Sequence, residues 1–157
     1  MKLKSLGILM LGLLLAVALS AALLLTTLAR QFDTSLQTTK AAYAEVVLPL
    51  RQIDANTKNL RFHLLAAFAH DPSGRTAALH AHPLSAHSGA IRTAIDANQR
   101  LWDGVMQTAA DYPGIDLAVL HQAYQAYYAK GVTPAVAAVD AQQWMAIVQT
   151  LSATLFE

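Results

Sequence analysis

The chain of 157 residues carries a formal net charge of +1 and contains no cysteine. Apart from Lys2 and Lys4, nine basic residues stand against ten acidic ones, which leaves no electrostatic footprint for nucleic acid and no polybasic membrane-surface patch. The missing cysteines exclude a disulfide framework and a thiolate zinc site, and the abundance of alanine favours helices held together by packing alone.

The first element is Leu6 to Ala29, LGILMLGLLLAVALSAALLLTTLA, a stretch without a charged residue. At about 1.5 Å per residue it reaches about 36 Å as a helix, enough to cross a hydrocarbon core of about 30 Å with some tilt. Its polar side chains, Ser20, Thr26 and Thr27, have hydroxyls that can bond back to helix carbonyls. The rival reading is a signal peptide cleaved near Ser20. The apolar run continues through Leu23, Leu24, Leu25 and Leu28, past the usual core of about 7–15 residues, so an uncleaved anchor is expected. Lys2 and Lys4 precede the span and Arg30 follows it, which places the N-terminus in the cytoplasm by the positive-inside rule. Residues 1–5 are then cytoplasmic, 6–29 transmembrane and 30–157 extracytoplasmic.

Beyond Arg30 the sequence keeps a seven-residue period. Leu36, Tyr43, Leu50, Thr57 and Leu64 form one set; Thr39, Val46, Ile53, Leu60 and Ala67 form a second, three residues later. This heptad seam predicts one helix over about 30–70, continuous with the membrane helix. Pro49 lies inside it and predicts a kink, because proline lacks an amide donor and crowds the preceding turn. His70-Asp71-Pro72-Ser73-Gly74 ends the helix. Arg75 to His82 is read as a helical turn or an irregular connector.

Pro83 suits the start of the next helix, over about 84–110. Leu84, Ile91, Asn98 and Val105 share one heptad position, and Ser88, Ile95, Trp102 and Ala109 another. Asn98 therefore falls on the buried face, where a single amide fixes helix register. Asp111-Tyr112-Pro113-Gly114 is a turn, and Asp116 is a candidate cap for a third helix over about 116–139. Leu117, Leu120, Tyr124 and Tyr127 give that helix its stripe, which continues past Gly131 and Pro134 to Val139. Asp140 is expected to cap a last helix, 140–157, carrying Trp144, Ile147, Val148, Leu151 and Leu155. The fold class is thus all-α: an N-terminal transmembrane helix leading into an up-down antiparallel four-helix bundle with a short, incomplete fourth helix. Such a helix leaves apolar surface uncovered unless a partner chain fills it.

This layout resembles the input half of methyl-accepting chemotaxis receptors. The likeness rests on Asn59-Leu60-Arg61-Phe62-His63-Leu64-Leu65 with His70-Asp71-Pro72, on His82-Pro83 followed by His87, Ile91, Ile95, Asn98 and Trp102, and on Tyr124–Lys130 with Gly131-Val132-Thr133-Pro134-Ala135. It spans nearly the whole chain. It implies a sensor domain outside the bacterial inner membrane that binds a small ligand, works as a homodimer or co-assembles with other receptors, and passes a helix shift through the membrane. Such receptors continue into a second membrane helix, a HAMP relay and a signalling hairpin. These are absent from this sequence, which is expected to be a truncated receptor. In amino-acid-sensing members several arginines on the first helix clamp the ligand carboxylates. Only Arg61 matches here, with Asn56 and Leu65 at other matching positions.

The candidate ligand-binding residues are Arg61, Asn98, Trp102 and Tyr124; Trp144, Tyr127 and Tyr128 are further aromatic candidates. At helical spacing such aromatics are more often core or subunit-interface side chains. His80, His82 and His87 are candidate metal ligands, with Asp71 as a fourth, and His63 and His70 lie on similar faces one helical stretch earlier. The plainer reading of these histidines is as helix-end residues, some of them capping carbonyls. Asp96 and Asp103 read as a solvated face. No nucleophile elbow, phosphate loop or paired catalytic carboxylate is present, so the chain is read as a non-enzyme with no cofactor. The alternative to a sensor is a membrane-tethered helical interaction protein without a ligand of its own; a third reading is a secreted metal-binding module.

Overall fold

The structure, a computed structural model, describes residues 2–75, 77, 80–112 and 114–155, the side chains of 2–6, 151, 154 and 155 excepted. Outside the described residues therefore lie Pro113, part of the 75–82 connector, residues 156–157, and the side chains of Lys2, Lys4, Leu6, Leu151 and Leu155. The described residues are helical or irregular, and none is in a strand.

The chain divides into two units, residues 1–41 and residues 42–157. The first unit lies within helix α1 (Lys2–Ala42). By length and composition this helix can cross a membrane. Its polar side chains return to the helix as expected. The Ser20 hydroxyl donates to the Ala16 carbonyl, and the Thr26 and Thr27 hydroxyls both donate to the Leu23 carbonyl, each at 2.8 Å. The stretch thus offers lipid almost no unsatisfied side-chain polarity.

The second unit begins with a π-helical turn, Tyr43–Val47, and passes directly into α2 (Leu48–Phe68). Pro49 is the cause of the turn. It has no N–H for the Glu45 carbonyl, and its ring crowds that oxygen. The backbone takes in one extra residue, so the Leu48 N–H bonds to the Tyr43 carbonyl, five residues back. The same device recurs in the third helix of the bundle. There α4 (Ala118–Tyr127) runs through a π-turn, Tyr128–Val132, into α5 (Thr133–Asp140). The Thr133 N–H bonds to the Tyr128 carbonyl immediately before Pro134. Neither proline ends its helix.

Side-chain pairs define the topology. Glu45 meets Tyr112, Thr57 meets Asn98, and His63 meets His87, so α2 and α3 (Leu84–Ala109) are antiparallel. Arg92 meets Asp140, Asn98 meets Tyr128, and Trp102 meets Tyr124, so α3 and the α4–α5 helix are antiparallel too. The Asp116 carboxylate accepts the Ala118 N–H at 2.9 Å and steadies the start of α4.

The last helix departs from its expected start. α6 begins at Trp144, and Asp140 closes α5 instead of capping α6. One nitrogen of the Arg92 guanidinium, Nη2, donates to both Asp140 carboxylate oxygens, at 2.8 and 3.0 Å. The reversal lies at Gln142, whose φ of 52° is left-handed. The Gln143 N–H returns to the Ala138 carbonyl at 2.8 Å, the bond that closes a Schellman turn.

Two apolar clusters fill the bundle. One gathers Leu60, Leu64 and Ala67 from α2, Ile91 and Ala94 from α3, Val132, Ala135, Ala138 and Val139 around α5, and Ile147 from α6. The other gathers Val46, Ile53, Trp102, Val105 and Ala109. Between them lies Asn98, fully buried, whose amide donates to the Thr57 and Tyr128 hydroxyls at 3.1 Å. Among the described residues, α6 contributes only to the first cluster. Consequently no residue of α4 is buried, and Leu120 remains 50% exposed.

Leu60 and Phe62 separate core from surface. Leu60→Ala leaves a cavity in the first cluster and should lower unfolding stability by about 2–5 kcal/mol. Phe62, 63% exposed, should cost about 0.5 kcal/mol or less on truncation. Denaturant unfolding of the full chain in detergent micelles, followed by far-UV circular dichroism, measures both.

Candidate functional site

α2 and α4 wall a groove of about 390 Å³. Its lining includes Leu50, Ile53 and Thr57 of α2, Leu120, Tyr124 and Tyr127 of α4, and Trp102 of α3. The α2 residues are seam positions of the heptad, which is why they face inward. The Trp102 ring packs against His121 at 4.9 Å and Tyr124 at 5.1 Å, and Tyr124 stacks on Tyr128 at 4.4 Å. Aromatic side chains thus build an apolar wall.

Two lining residues carry buried polar atoms without a partner, the Trp102 indole nitrogen and the Tyr127 hydroxyl. Burial pushes the Tyr124 phenol well above its ordinary range, with the Tyr128 hydrogen bond adding to it. Burial also raises Tyr127, and the nearby Arg61 guanidinium opposes that shift. These phenols are neutral hydrogen-bonding groups at physiological pH. Among the described residues Asp54 is the charged one in the lining, and it forms an exposed ion pair with Lys58 at 2.6 Å. The pair adds little stability in such a solvated setting.

A second constellation lies at the other end of α2. His70 follows that helix, His80 and His82 come from the connector, and His87 stands in the first turn of α3. One ring nitrogen from each lies within 4.8 Å of the others. His63 of α2 joins from the side, its Nδ1 3.0 Å from Nδ1 of His87. His87 is 5% exposed. Burial above all, and then the imidazoles of His82, His63, His70 and His80, pull its pKa down to about 4. His70 is lowered for the same reasons, with burial first and then His80 and His82. Among the described residues, His70, His80, His82 and His87 are the ones whose donor atoms lie close enough to share one metal ion.

The residues singled out from the sequence divide between these two places. Trp102 and Tyr124 line the groove. Asn98 lies outside its lining, in the buried polar layer, and Arg61 lies beside Tyr127 without lining it. Trp144 packs against the first apolar cluster instead. His80, His82 and His87 do come together, but the fourth member is His70 and not Asp71. The Asp71 carboxylate is taken by the Ser73 N–H at 2.9 Å and its hydroxyl at 2.7 Å, which stabilises the turn after α2. Sequence reasoning named Leu50, Ile53 and Thr57 only as seam positions. No family model, curated protein or solved structure matches the chain.

The imidazole cluster sets a pH dependence for metal-free protein. Below about pH 6.5 the unfolded chain protonates its histidines, whereas His87 stays neutral in the folded state down to about pH 4. The unfolded state then binds more protons, so stability falls as pH drops through that window. Thermal unfolding of chelator-treated protein should show a midpoint that declines from pH 6.5 to 4, with a shallower decline in His87→Leu. A flat midpoint would mean that the cluster protonates freely while folded.

Proposed function

We propose that the chain is a membrane-anchored sensor module of the chemotaxis-receptor type. In this reading the apolar segment 6–29 crosses the bacterial inner membrane with its N-terminus in the cytoplasm, and residues 30–157 stand outside. The observation that carries it is the groove between α2 and α4. It is an apolar cleft with an aromatic wall, on a helical bundle that follows a lipid-length apolar segment in the sequence. Ligand pockets have this composition: mostly apolar lining with a few polar groups that fix orientation.

The groove fits a flat, largely apolar small molecule, since Leu50, Ile53, Trp102, Leu120 and Tyr124 line it. A ligand wedged between α2 and α4 would shift one helix against the other, the small displacement on which such switches run. Tyr43 and Leu48, 44% and 46% exposed, supply apolar surface for pairing with a second copy or with another receptor.

The test is a thermal-shift and calorimetric screen of the full chain in detergent micelles against amino acids, organic acids and flat aromatic compounds. A saturable stabilisation is expected, weakened tenfold or more by Leu120→Glu, which places a charge in the groove at an exposed position. An alkaline phosphatase fusion after Ala29 should be active, as required of an exported segment. Stabilisation by a co-expressed receptor chain and by none of the small molecules would replace the sensor with a helical interaction protein.

A further inference from the structure

We infer that His70, His80, His82 and His87 form a binding site for one divalent transition-metal ion of the Zn2+ class, with His63 as the outer partner of His87. The site shares no residue with the groove and stands whether or not the groove binds a ligand.

The geometry is the first argument. All six ring pairs among the four histidines have centroids between 4.7 and 5.7 Å apart. Their donor nitrogens lie within 4.8 Å of one another. Zinc–nitrogen bonds of about 2.0–2.1 Å in a tetrahedron place the nitrogens about 3.4 Å apart. Small ring rotations therefore bring the four onto one ion without moving the helices.

The second argument is what the cluster lacks. His70 Nε2 and His87 Nε2 are buried and have no hydrogen-bond partner. Buried polar atoms are ordinarily satisfied, and each orphan needs an explanation. No carboxylate joins the group, because Asp71 is held by Ser73. The four imidazoles each offer a ring nitrogen to one shared region. A cation there satisfies them together.

His63 supplies the third argument. A metal-bound imidazole usually donates its other N–H to a neighbour, which fixes the tautomer and orients the ring. The 3.0 Å contact between Nδ1 of His87 and Nδ1 of His63 provides such a neighbour. When His87 donates there, its Nε2 is left bare, and Nε2 is the orphaned atom. Metal binding selects this tautomer of the pair.

Donor chemistry names the ion. Neutral imidazoles suit Zn2+, Cu2+ and Ni2+, whereas Mg2+ and Ca2+ require oxygen ligands. An entry path exists, since a cleft of about 470 Å³ lined by Phe62, His63, Ala66, His80, His82, Ala86 and His87 opens beside the cluster. Three ligands lie in the loop between Phe68 and Leu84 and the fourth, His87, stands in α3, so the ion clips that loop to the start of α3.

The experiment uses the full chain in detergent micelles, freed of metal by chelator. Calorimetric titration with ZnCl2 should give one ion per chain and raise the unfolding midpoint, reversibly with chelator; MgCl2 should do neither. Co2+ in place of Zn2+ should give the intense visible absorption of a tetrahedral ion. The double variant His80→Ala/His82→Ala, in a connector outside the apolar clusters, should keep the helical content and weaken Zn2+ binding at least about 100-fold, as expected when half the ligands are lost. His63→Ala should weaken it by about 10–100-fold, and His121→Ala, beside Trp102, should leave it unchanged. The inference is overturned by the absence of saturable Zn2+ binding, by binding that survives the double substitution, or by an equal loss in His121→Ala. None of these readouts involves the groove, so the two proposals fail separately.

Discussion

Everything in the second unit depends on the register of α2 against α3, and the buried Asn98 amide pins that register. Its donors reach Thr57 on α2 and Tyr128 at the α4–α5 junction, so one side chain ties three helices at one level. A slip of either neighbour by one turn would strand an amide in an apolar interior, at a cost of about 1–3 kcal/mol. Leucines on the two stripes would tolerate such a slip far better, because apolar contact is not directional. From this register the remaining pairs follow. Toward one end His63 meets His87; toward the other, Ile53 packs in the same cluster as Trp102. The histidine constellation and the aromatic groove are both consequences of where one amide is placed.

The two prolines raise a separate problem with one solution. A proline inside a helix costs about 3 kcal/mol when the helix stays regular. Here each is preceded by a π-turn that begins six residues earlier at a tyrosine, Tyr43 before Pro49 and Tyr128 before Pro134. The wider turn moves the crowded carbonyl away from the ring and keeps the helix continuous. At the second site it also brings Tyr128 to the Asn98 layer. The tolerance of Pro134 and the polar register are therefore coupled through one residue.

Much of this was legible in residue spacing. From Val46 onward the second heptad set reads directly as core, with Val46, Ile53, Leu60 and Ala67 buried and Thr39 exposed, because period decides which face of a long helix is apolar. The seam fades toward Leu36 and Tyr43, both exposed in the single chain; the spacing marks a sticky face but not what covers it. The start of α6 was illegible for a physical reason. The reversal uses Gln142 in a left-handed conformation where glycine usually stands, so no local signal marks it. Asp140, the apparent cap, is claimed by Arg92, a partner 48 residues away. The same holds for the fourth histidine. Asp71 stood as the fourth candidate, but a local turn takes its carboxylate, and His70 is brought in by the hairpin.

The bundle is unequal along its length, and that inequality gives the two sites different mechanical settings. At the α2 C-terminal end, residues from α2, α3, α5 and α6 close around Leu60, Leu64 and Ile147, each fully buried. Past the Asn98 layer the described residues of α6 drop out, and α4 rests on Trp102 through aromatic faces with its outer side chains in solvent. Local opening costs least where few buried apolar contacts must be broken. Displacement of α4 is therefore cheaper than displacement of α5, although the two belong to one helix. The π-turn between them, with its weaker hydrogen-bond pattern, is the place where such a difference is absorbed. A guest between α2 and α4 would work against the compliant end, while the histidines hold the firm one.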